Sequence, residues 1–531
     1  MHVPPCDARP CGACPLCDAR FRSAPEMDFQ MPTHDATSNR RAFLASSLAV
    51  ASASITSSAR AAIVSAESAS VVAAVHDLMR VRIEIDVKGN VRVSDNALAS
   101  KETRQTFPIK SEAVLDYEER YLKPKDATES SEIVAAERYY HTATNQSVLN
   151  KTSTDQDLRE SMRHAIVRRE SLPETIYSAD SFFTHGELSL LKSPVSSVSV
   201  NRFLPGESVI QGDRYELDSD ALCSVLNLTS VDSGRVESEV TEVSADTVRF
   251  KLEGDIEGSV DGVGTRLRLI GKMTFDRREK TCTWLALAIH ETREISRAVP
   301  GFDVSATIRM VRRPMPQPVA LPAQPAVIDF DRSPPGERLY VELQSRQLGV
   351  GAMMDRKWRM ISDAPGSAVM RMIDNELSIA QCNLRPLVQL PEGKQWTVEA
   401  FEAAVRQTLG DKLTQVIEGD QRVSAQGLRV LRVVADGETQ GVPIRWIMMH
   451  FSDDDGNRVQ ATFTMSADKV EAFAGNDAQL ADSLRFLEKA DIHDGKPGDE
   501  KSLAGETDAQ PEIAGRSAPH DAETTSSSDL R

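Results

Sequence analysis

Residues 236–310 alternate between apolar and polar side chains over several long stretches. Alternation with a period of two places successive side chains on opposite faces of a β-strand. Short turns at 261–264 and 276–280 separate the stretches. The region therefore predicts an antiparallel meander of long strands, curved into a half-barrel or a sandwich. One face of its strands is predicted to carry Val248, Phe250, Leu252, Ile256, Val260, Leu267, Leu269, Met273 and Phe275.

The alternate positions of this meander hold charges of both signs. Opposite charges on neighbouring strands pair across a solvated sheet face. We therefore expect cross-strand ion pairs on the outer face, made by Arg249, Glu253, Glu257, Arg266, Arg268 and Lys272.

Two kinds of signal precede the meander. Residues 81–93 alternate around Gly89 and Asn90, and a Gly-Asn pair between alternating segments predicts a β-hairpin. Residues 100–170 are charged and weakly periodic, with a helix predicted over 157–169.

Two short helices are predicted further along. Thr184 is followed three residues later by Glu187, which is the spacing of a capping box and predicts a helix start. A second helix is predicted over residues 219–226.

Residues 337–487 have a different pattern. Thr397 is placed as the N-cap of a helix with Phe401, Val405 and Leu409 on one face, and Gly410 follows its end. Strands and helices in this order predict an α+β domain, in which helices pack on an antiparallel sheet. The predicted strands are 339–343, 358–361, 368–374, 377–384, 428–434, 442–451 and 458–465. A final helix is predicted over 467–473, and residues 480–486 close the domain.

The end of this region resembles a known group. A helix before a three-strand meander, the sequence Ala-Thr-Phe-Thr at 461–464, another helix and Ser-Leu-Arg-Phe at 483–486 are similar to the PsbP/DcrB-like α/β/α sandwich. That resemblance implies a non-enzymatic protein of the periplasm or thylakoid lumen that binds or supports other proteins. The meander of the first region resembles envelope lipid-carrier folds such as LolA. The predicted fold class is α+β, with an N-terminal β-meander plus helices and a C-terminal α/β/α sandwich.

A proline-rich segment separates the two regions. Its composition predicts a semi-rigid, extended linker over 313–336. We therefore expect a β-rich domain at 71–312 and a second domain at 337–487. Residues 488–531 are acidic and have no aromatic residue, so they predict a disordered tail. The prolines are Pro314, Pro316, Pro318, Pro322, Pro325, Pro334 and Pro335.

The first 61 residues predict a presequence and an export signal. A pair of arginines precedes a short run of small and apolar residues, too short to span a bilayer, with small residues at its end. The pair resembles a twin-arginine signal, although Asn39 stands where that signal has Ser or Thr, and a Sec signal is the alternative. We expect a periplasmic or secreted protein, not integral to the membrane after processing. The recognition residues are Arg40, Arg41, Phe43 and Leu44, and the cleavage positions are Ala59 and Ala61.

Four cysteines precede the signal. Cys6, Cys11, Cys14 and Cys17 could hold zinc or an iron–sulfur cluster. Alternatively they are discarded with the presequence, or translation starts at Met27 or Met31 and not at Met1. The other cysteines, Cys223, Cys282 and Cys382, are predicted to be small buried residues, although one pair could form a disulfide.

The net charge and the lack of known catalytic motifs narrow the classes of function that the sequence favours. The net charge of −17 argues against a nucleic-acid partner. The sequence has no HExxH, G-x-S-x-G, Walker or G-x-G-x-x-G motif, so it predicts no catalytic, metal or cofactor residues. His290 and His450 each end an apolar strand and are interpreted as structural.

The sequence thus favours an exported binding or scaffolding protein without catalysis, whose partner is an envelope protein. One alternative is a carrier of a lipid or other apolar ligand in the meander, lined by Val248, Phe250, Leu267 and Leu269. Another is an enzyme whose site is not visible in the sequence.

Overall fold

The computed structural model describes residues 68–93, 105–124, 133–295, 300–374, 377–390 and 394–487. The predicted signal residues Arg40, Arg41, Phe43, Leu44, Ala59 and Ala61, the four N-terminal cysteines and the tail 488–531 lie outside this part of the chain. Within it, no helix is both long enough and apolar enough to cross a membrane.

Antiparallel strands dominate the described residues. The strands of the first region are β1 (Ala69–Ser70), β2 (Leu78–Val93), β3 (Gln105–Leu122), β4 (Ala135–Leu149), β5 (Thr152–Asp157), β6 (His164–Arg168), β7 (Thr175–Tyr177), β8 (Ser208–Val209), β9 (Arg214–Glu216), β10 (Ser230–Val243), β11 (Thr247–Val260), β12 (Val263–Asp276), β13 (Thr281–Arg293) and β14 (Gly301–Pro314). Those of the second region are β15 (Tyr340–Ser345), β16 (Val350–Asp355), β17 (Trp358–Ala364), β18 (Ser367–Asp374), β19 (Leu377–Pro386), β20 (Leu413–Val423), β21 (Arg429–Thr439), β22 (Val442–Ser452), β23 (Arg458–Ser466) and β24 (Arg485–Phe486).

The α-helices are short. They are α1 (His185–Leu191), α2 (Ser219–Leu226), α3 (Val398–Leu409), α4 (Val470–Phe473) and α5 (Asn476–Ser483). The predicted capping box is present, because the Thr184 hydroxyl accepts the N–H of Glu187 while the Glu187 carboxylate accepts the N–H of Thr184. The predicted α2 and the Thr397 cap of α3 are also confirmed.

The first region is built on one twelve-stranded sheet. Its strands follow the order β7-β6-β4-β3-β2-β14-β13-β12-β11-β10-β9, and β5 pairs with β4. The predicted meander is therefore confirmed as β10 to β14, and its alternating face lies in the core, where Phe250 and Leu269 are each 1% exposed. Ion pairs such as Arg266–Glu257, at 3.1 Å, line the outer face as expected.

The proline-rich segment lies against this sheet, on the face of β3, β4 and β6 opposite the main core. Arg120 donates to the carbonyl of Pro322 at 2.6 Å, and Arg168 donates to the carbonyl of Asp329 at 3.1 Å. Apolar contacts accompany these bonds, since Ala326, Ile328 and Phe330 pack against Leu122, Ala135, Ile166 and Tyr177. The independent folding of 71–312 and 337–487 stays a prediction.

The second region contains a seven-stranded sheet, ordered β17-β18-β19-β23-β22-β21-β20, and a three-stranded sheet, ordered β15-β16-β24. Helix α3 packs its Phe401, Val405 and Leu409 face on the larger sheet. The predicted α+β class with an α/β/α sandwich is wrong, because strands outweigh helices throughout the described chain. The sequence pattern did not predict β16, β20 or β24, and the helices of this region are at most twelve residues long and lie beside large sheets.

Two local predictions in the first region are also wrong. Residues 81–93 form no hairpin but part of the single strand β2, paired with β14 and β3 along its length. Residues 157–169 form no α-helix, because the segment turns at Met162 and continues as β6. The short apolar run within 164–168 is compatible with a helical turn and with a strand buried on both faces. Its pairing with β4 makes it a strand.

Candidate ligand-binding site

A cavity of about 350 Å³ lies at one end of the twelve-stranded sheet. Strands β2 and β13 begin there, and strands β3 and β14 end there, so that Met79, Tyr121, Thr281 and Arg312 meet around it. Its volume falls within the range of about 300–1,000 Å³ that is typical of small-molecule sites. The cavity is therefore large enough to hold a small ligand.

The lining of the cavity has an apolar part and a polar part. The apolar residues are Ala73, Ala74, Val75, Met79, Ile133 and Val198. The polar residues are His76, Tyr121, Ser199, Asn201, Arg202, Thr281 and Arg312. The cationic side chains among them are arginines, and no carboxylate belongs to the lining that the described residues form.

Arg312 is buried, with 2% of its surface exposed. Its Nη2 donates to the hydroxyl of Tyr121 at 2.7 Å, and its Nη1 donates to the carbonyl of Cys282 at 3.0 Å and to Oδ1 of Asn201 at 3.3 Å. All three acceptors are neutral. Its Nε–H has no hydrogen-bond partner in the structure. A guanidinium has five N–H donors, so this set leaves Nε–H and one Nη2 hydrogen without an acceptor.

The strand pattern explains why a charged side chain lies here. Ile308, Met310 and Arg312 are alternate residues of β14, and all three are buried on its inward face. Arg312 therefore occupies a position at which the strand period would place another apolar residue. A guanidinium at such a position costs free energy unless polar groups compensate it.

The electrostatics of the site favour a charged guanidinium. Burial acts to lower the pKa of Arg312. Electrostatic interactions with Tyr121, Cys282 and Glu119 outweigh burial, so that this pKa lies above its ordinary value. Burial raises the pKa of the Tyr121 hydroxyl, and it raises the pKa of the Cys282 thiol to about 11. At neutral pH the cavity therefore has a positive charge next to a neutral phenol and a neutral thiol.

A second polar cluster lies beyond Tyr121, inside the core. Arg138 donates to Glu119 at 2.9 Å and to Glu174 at 3.0 Å, and Arg169 donates to Glu174 at 2.6 Å. The hydroxyl of Ser197 donates to the same Glu119 oxygen at 2.7 Å. Glu119 is therefore engaged by Arg138 and does not form an ion pair with Arg312. Its second oxygen, Oε2, has no hydrogen-bond partner.

The residues that the sequence suggested as a ligand-binding wall lie elsewhere. Val248, Phe250, Leu267 and Leu269 belong to the main hydrophobic core, and none of them lines the cavity. Phe250 contacts the ring of Tyr215, with 6.3 Å between centroids. The face of the meander is thus covered by the chain's own side chains.

His290, His450 and the three cysteines of the described chain lie in different surroundings. His450 is buried, and its Nε2 accepts the Nε–H of Arg458 at 2.9 Å, whereas His290 is exposed. Cys282 and Cys382 are buried thiols and Cys223 is half-buried, and all three are free.

The cavity residues were missed by sequence reasoning because they come from six separate segments. One signal was available. The inward positions of β14 read Ile-x-Met-x-Arg from residue 308 to 312, and an arginine in phase with core residues indicates a buried polar site.

Comparisons with known proteins give little guidance. No protein-family model and no curated protein matches the chain. Among solved structures, PsbP (CyanoP) from Synechocystis sp. PCC 6803 is similar with 12% identity and a TM-score of 0.23, over 28% of this chain and 92% of that one. Protein PA94 of Pseudomonas aeruginosa, of unknown function, is similar with 7% identity and a TM-score of 0.17, over 26% of this chain and 92% of that one. A PsbP is thus among the similar structures, but at these TM-scores the likeness supports no conclusion about function.

Proposed function

We propose that the protein is a non-catalytic binding protein of the periplasm or the cell exterior, and that it holds a small ligand in the cavity next to Arg312. The observation that supports binding is the cavity itself, with its apolar wall and its buried guanidinium. The export segment around Arg40 and Arg41 supports the location.

Scaffolding of an envelope protein is the competing function. It was favoured in the sequence by the helices expected within residues 100–200, which would cover the meander and leave no space for a ligand. In the described part of that stretch α1 is a short helix of seven residues, whereas strands β3 to β7 extend the sheet, and the cavity lies at the sheet end. A ligand carrier is therefore the stronger proposal, with the ligand in the cavity at the sheet end and not on the face of the meander.

Purification from the cells that naturally make the protein tests the proposal. Solvent extraction followed by mass spectrometry should detect about one small molecule per chain, because such sites are few per protein. The variant Ala74→Phe places a ring in the cavity wall and should come out empty. The control Val72→Phe adds the same ring at a residue that is 53% exposed, and should retain the ligand.

A different result would support the scaffold. If the wild-type protein carries no small molecule, and the same protein partners copurify with the wild type and with Ala74→Phe, the cavity has no part in the function.

A further inference from the structure

We propose that the cavity selects an organic anion with a short apolar chain, of which a medium-chain monocarboxylate is the simplest representative. This inference rests on the proposed binding function and adds the chemical class of the ligand.

The cavity carries a buried positive charge at Arg312. Arg312 has hydrogen-bond acceptors only on neutral groups, and its Nε–H has none. A buried cation without an ionic partner is unfavourable, and a bound anion compensates it. An alcohol would also accept a hydrogen bond from the charged guanidinium, but only an anion adds the Coulomb attraction that compensates the buried charge, so an anion gains more from this site.

A second feature of the cavity is the set of neutral donors around Arg312. The Tyr121 hydroxyl accepts from Arg312, and its own proton therefore remains available to donate to an acceptor in the cavity. The donor group of Asn201 already has a partner, because its Nδ2 donates to the hydroxyl of Thr281 at 3.1 Å. The guanidinium and the phenol thus form a pair of donors suited to one carboxylate.

A third feature of the cavity is the apolar wall. Ala73, Ala74 and Val75, from the segment before β2, line the cavity together with Met79, Ile133 and Val198. These side chains offer no hydrogen-bond partner to a fully polar anion. An inorganic anion would leave this wall unused, whereas an alkyl chain would bury apolar surface against it.

The test compares the affinities of the purified protein for octanoate and octanol, which have carbon chains of the same length. Isothermal titration calorimetry should show that octanoate binds at least about tenfold more tightly than octanol, since pairing of the buried guanidinium with a carboxylate favours the anion by about 10- to 100-fold. Acetate should bind more weakly than octanoate, because it lacks the alkyl chain.

Variants assign the preference to Arg312. Arg312→Met should remove the preference for octanoate over octanol, and Arg312→Lys should retain part of it. Arg309→Met is the matched control, because Arg309 is exposed on the opposite face of the same strand. Circular dichroism and the melting temperature establish that each variant is folded, and the ligand comparison on the wild type decides the question if Arg312→Met does not fold.

The outcomes separate the inference from the proposed function. Equal binding of octanoate and octanol overturns the inference while a ligand in the cavity remains. Equal binding of acetate and octanoate overturns it as well, because the apolar wall then contributes nothing. If none of the probes binds and the protein is empty when purified from its own cells, the proposed function itself fails.

Discussion

The buried carboxylate of Glu118 accepts the backbone N–H of Leu321 at 3.2 Å, which joins the middle of the proline-rich segment to strand β3. The same carboxylate accepts the N–H of Val319 at 2.9 Å and of Ala320 at 3.0 Å. Burial acts to raise the pKa of Glu118, but these backbone N–H groups and His141 outweigh it and lower that pKa. One side chain thus holds three consecutive residues of a segment that would otherwise be an open tether.

Replacement of Glu118 by Gln should release this segment. The amide has one acceptor oxygen in place of two and loses the charge, so we expect a loss of about 1–3 kcal/mol in the free energy of unfolding. Hydrogen exchange read by mass spectrometry should show faster exchange at residues 319–321, and protease cleavage within 313–336 should accelerate. Glu112→Gln, at an exposed position of the same strand, is the control. Unchanged exchange at 319–321 would show that other contacts hold the segment.

Arg159 connects the two regions of the chain. Its Nε and Nη2 each donate to Glu187 at 2.7 Å, and its Nη1 donates to Glu342 at 2.9 Å. Both carboxylates are nearly buried, and Glu342 also pairs with Arg485 at 2.8 Å, so Arg159→Met leaves Glu187 without its ionic partner. We expect destabilisation of about 2 kcal/mol or more. Urea unfolding measures this change.

A double variant checks the physical reason. Arg159→Met combined with Glu187→Gln should recover part of the lost stability, because the buried charge that lost its ionic partner has been removed. The exposed ion pair of Arg278 and Asp246 provides the control, and Arg278→Met should change the stability by less than about 1 kcal/mol. Equal effects at the two arginines would argue against a role for burial.

Local patterns were sufficient for some elements. The alternation of residues 236–310 predicted the strands of the meander, because one face of each is buried and the other is solvated. The caps of α1 and α3 could also be predicted, because Thr184 and Thr397 accept backbone N–H groups within their own helices. In such elements the interactions that decide the structure lie close together in the sequence.

Other elements depend on distant partners. The C-terminal half of β3 is buried on both faces, by the core on one side and by the proline-rich segment on the other, so it shows no alternation. The charged residues Glu118 and Glu119 lie on its opposite faces, and their partners are remote in sequence. The cavity depends on Arg312 in the same way, because its acceptors Tyr121 and Cys282 belong to other strands.

Gly89 shows how a turn signal can be misleading. A Cβ atom at this position would lie 2.3 Å from the carbonyl oxygen of Asp303 and 2.6 Å from Cα of Val304. The glycine is therefore needed for the close approach of β14 to β2 and not for a turn. Gly89→Ala should force these strands apart and destabilise the protein by roughly 1–3 kcal/mol in thermal or urea unfolding.

Gly264→Ala is the matched control for this prediction. Gly264 is also in a strand, but a Cβ atom there meets nothing within 4 Å. It should leave the stability nearly unchanged. If the two alanine variants are equally stable, close strand approach is not the reason for glycine at position 89.

The buried His450 makes the stability of the protein depend on pH. Its ring stacks on Trp396 with 5.2 Å between centroids, and its Nε2 accepts a hydrogen bond from Arg458, so the neutral form is the one that fits. Burial, together with the charges of Arg458 and Arg429, lowers the pKa of His450 to about 4. In the unfolded chain the same group has a pKa of about 6.5.

The sign of the effect follows from these two pKa values. Between pH 6.5 and 4 the unfolded state binds the proton and the folded state does not, so stability falls as the pH falls through this window. Titration of His450 therefore makes the free energy of unfolding about 3 kcal/mol lower below pH 4 than above pH 6.5. His450→Gln keeps an acceptor for Arg458 but cannot titrate, so its unfolding free energy should fall less steeply between pH 6.5 and 4 than that of the wild type. His290→Gln, at an exposed histidine, is the control for the substitution itself. Urea unfolding at a series of pH values measures the three slopes, and a slope for His450→Gln equal to that of the wild type would contradict the assignment.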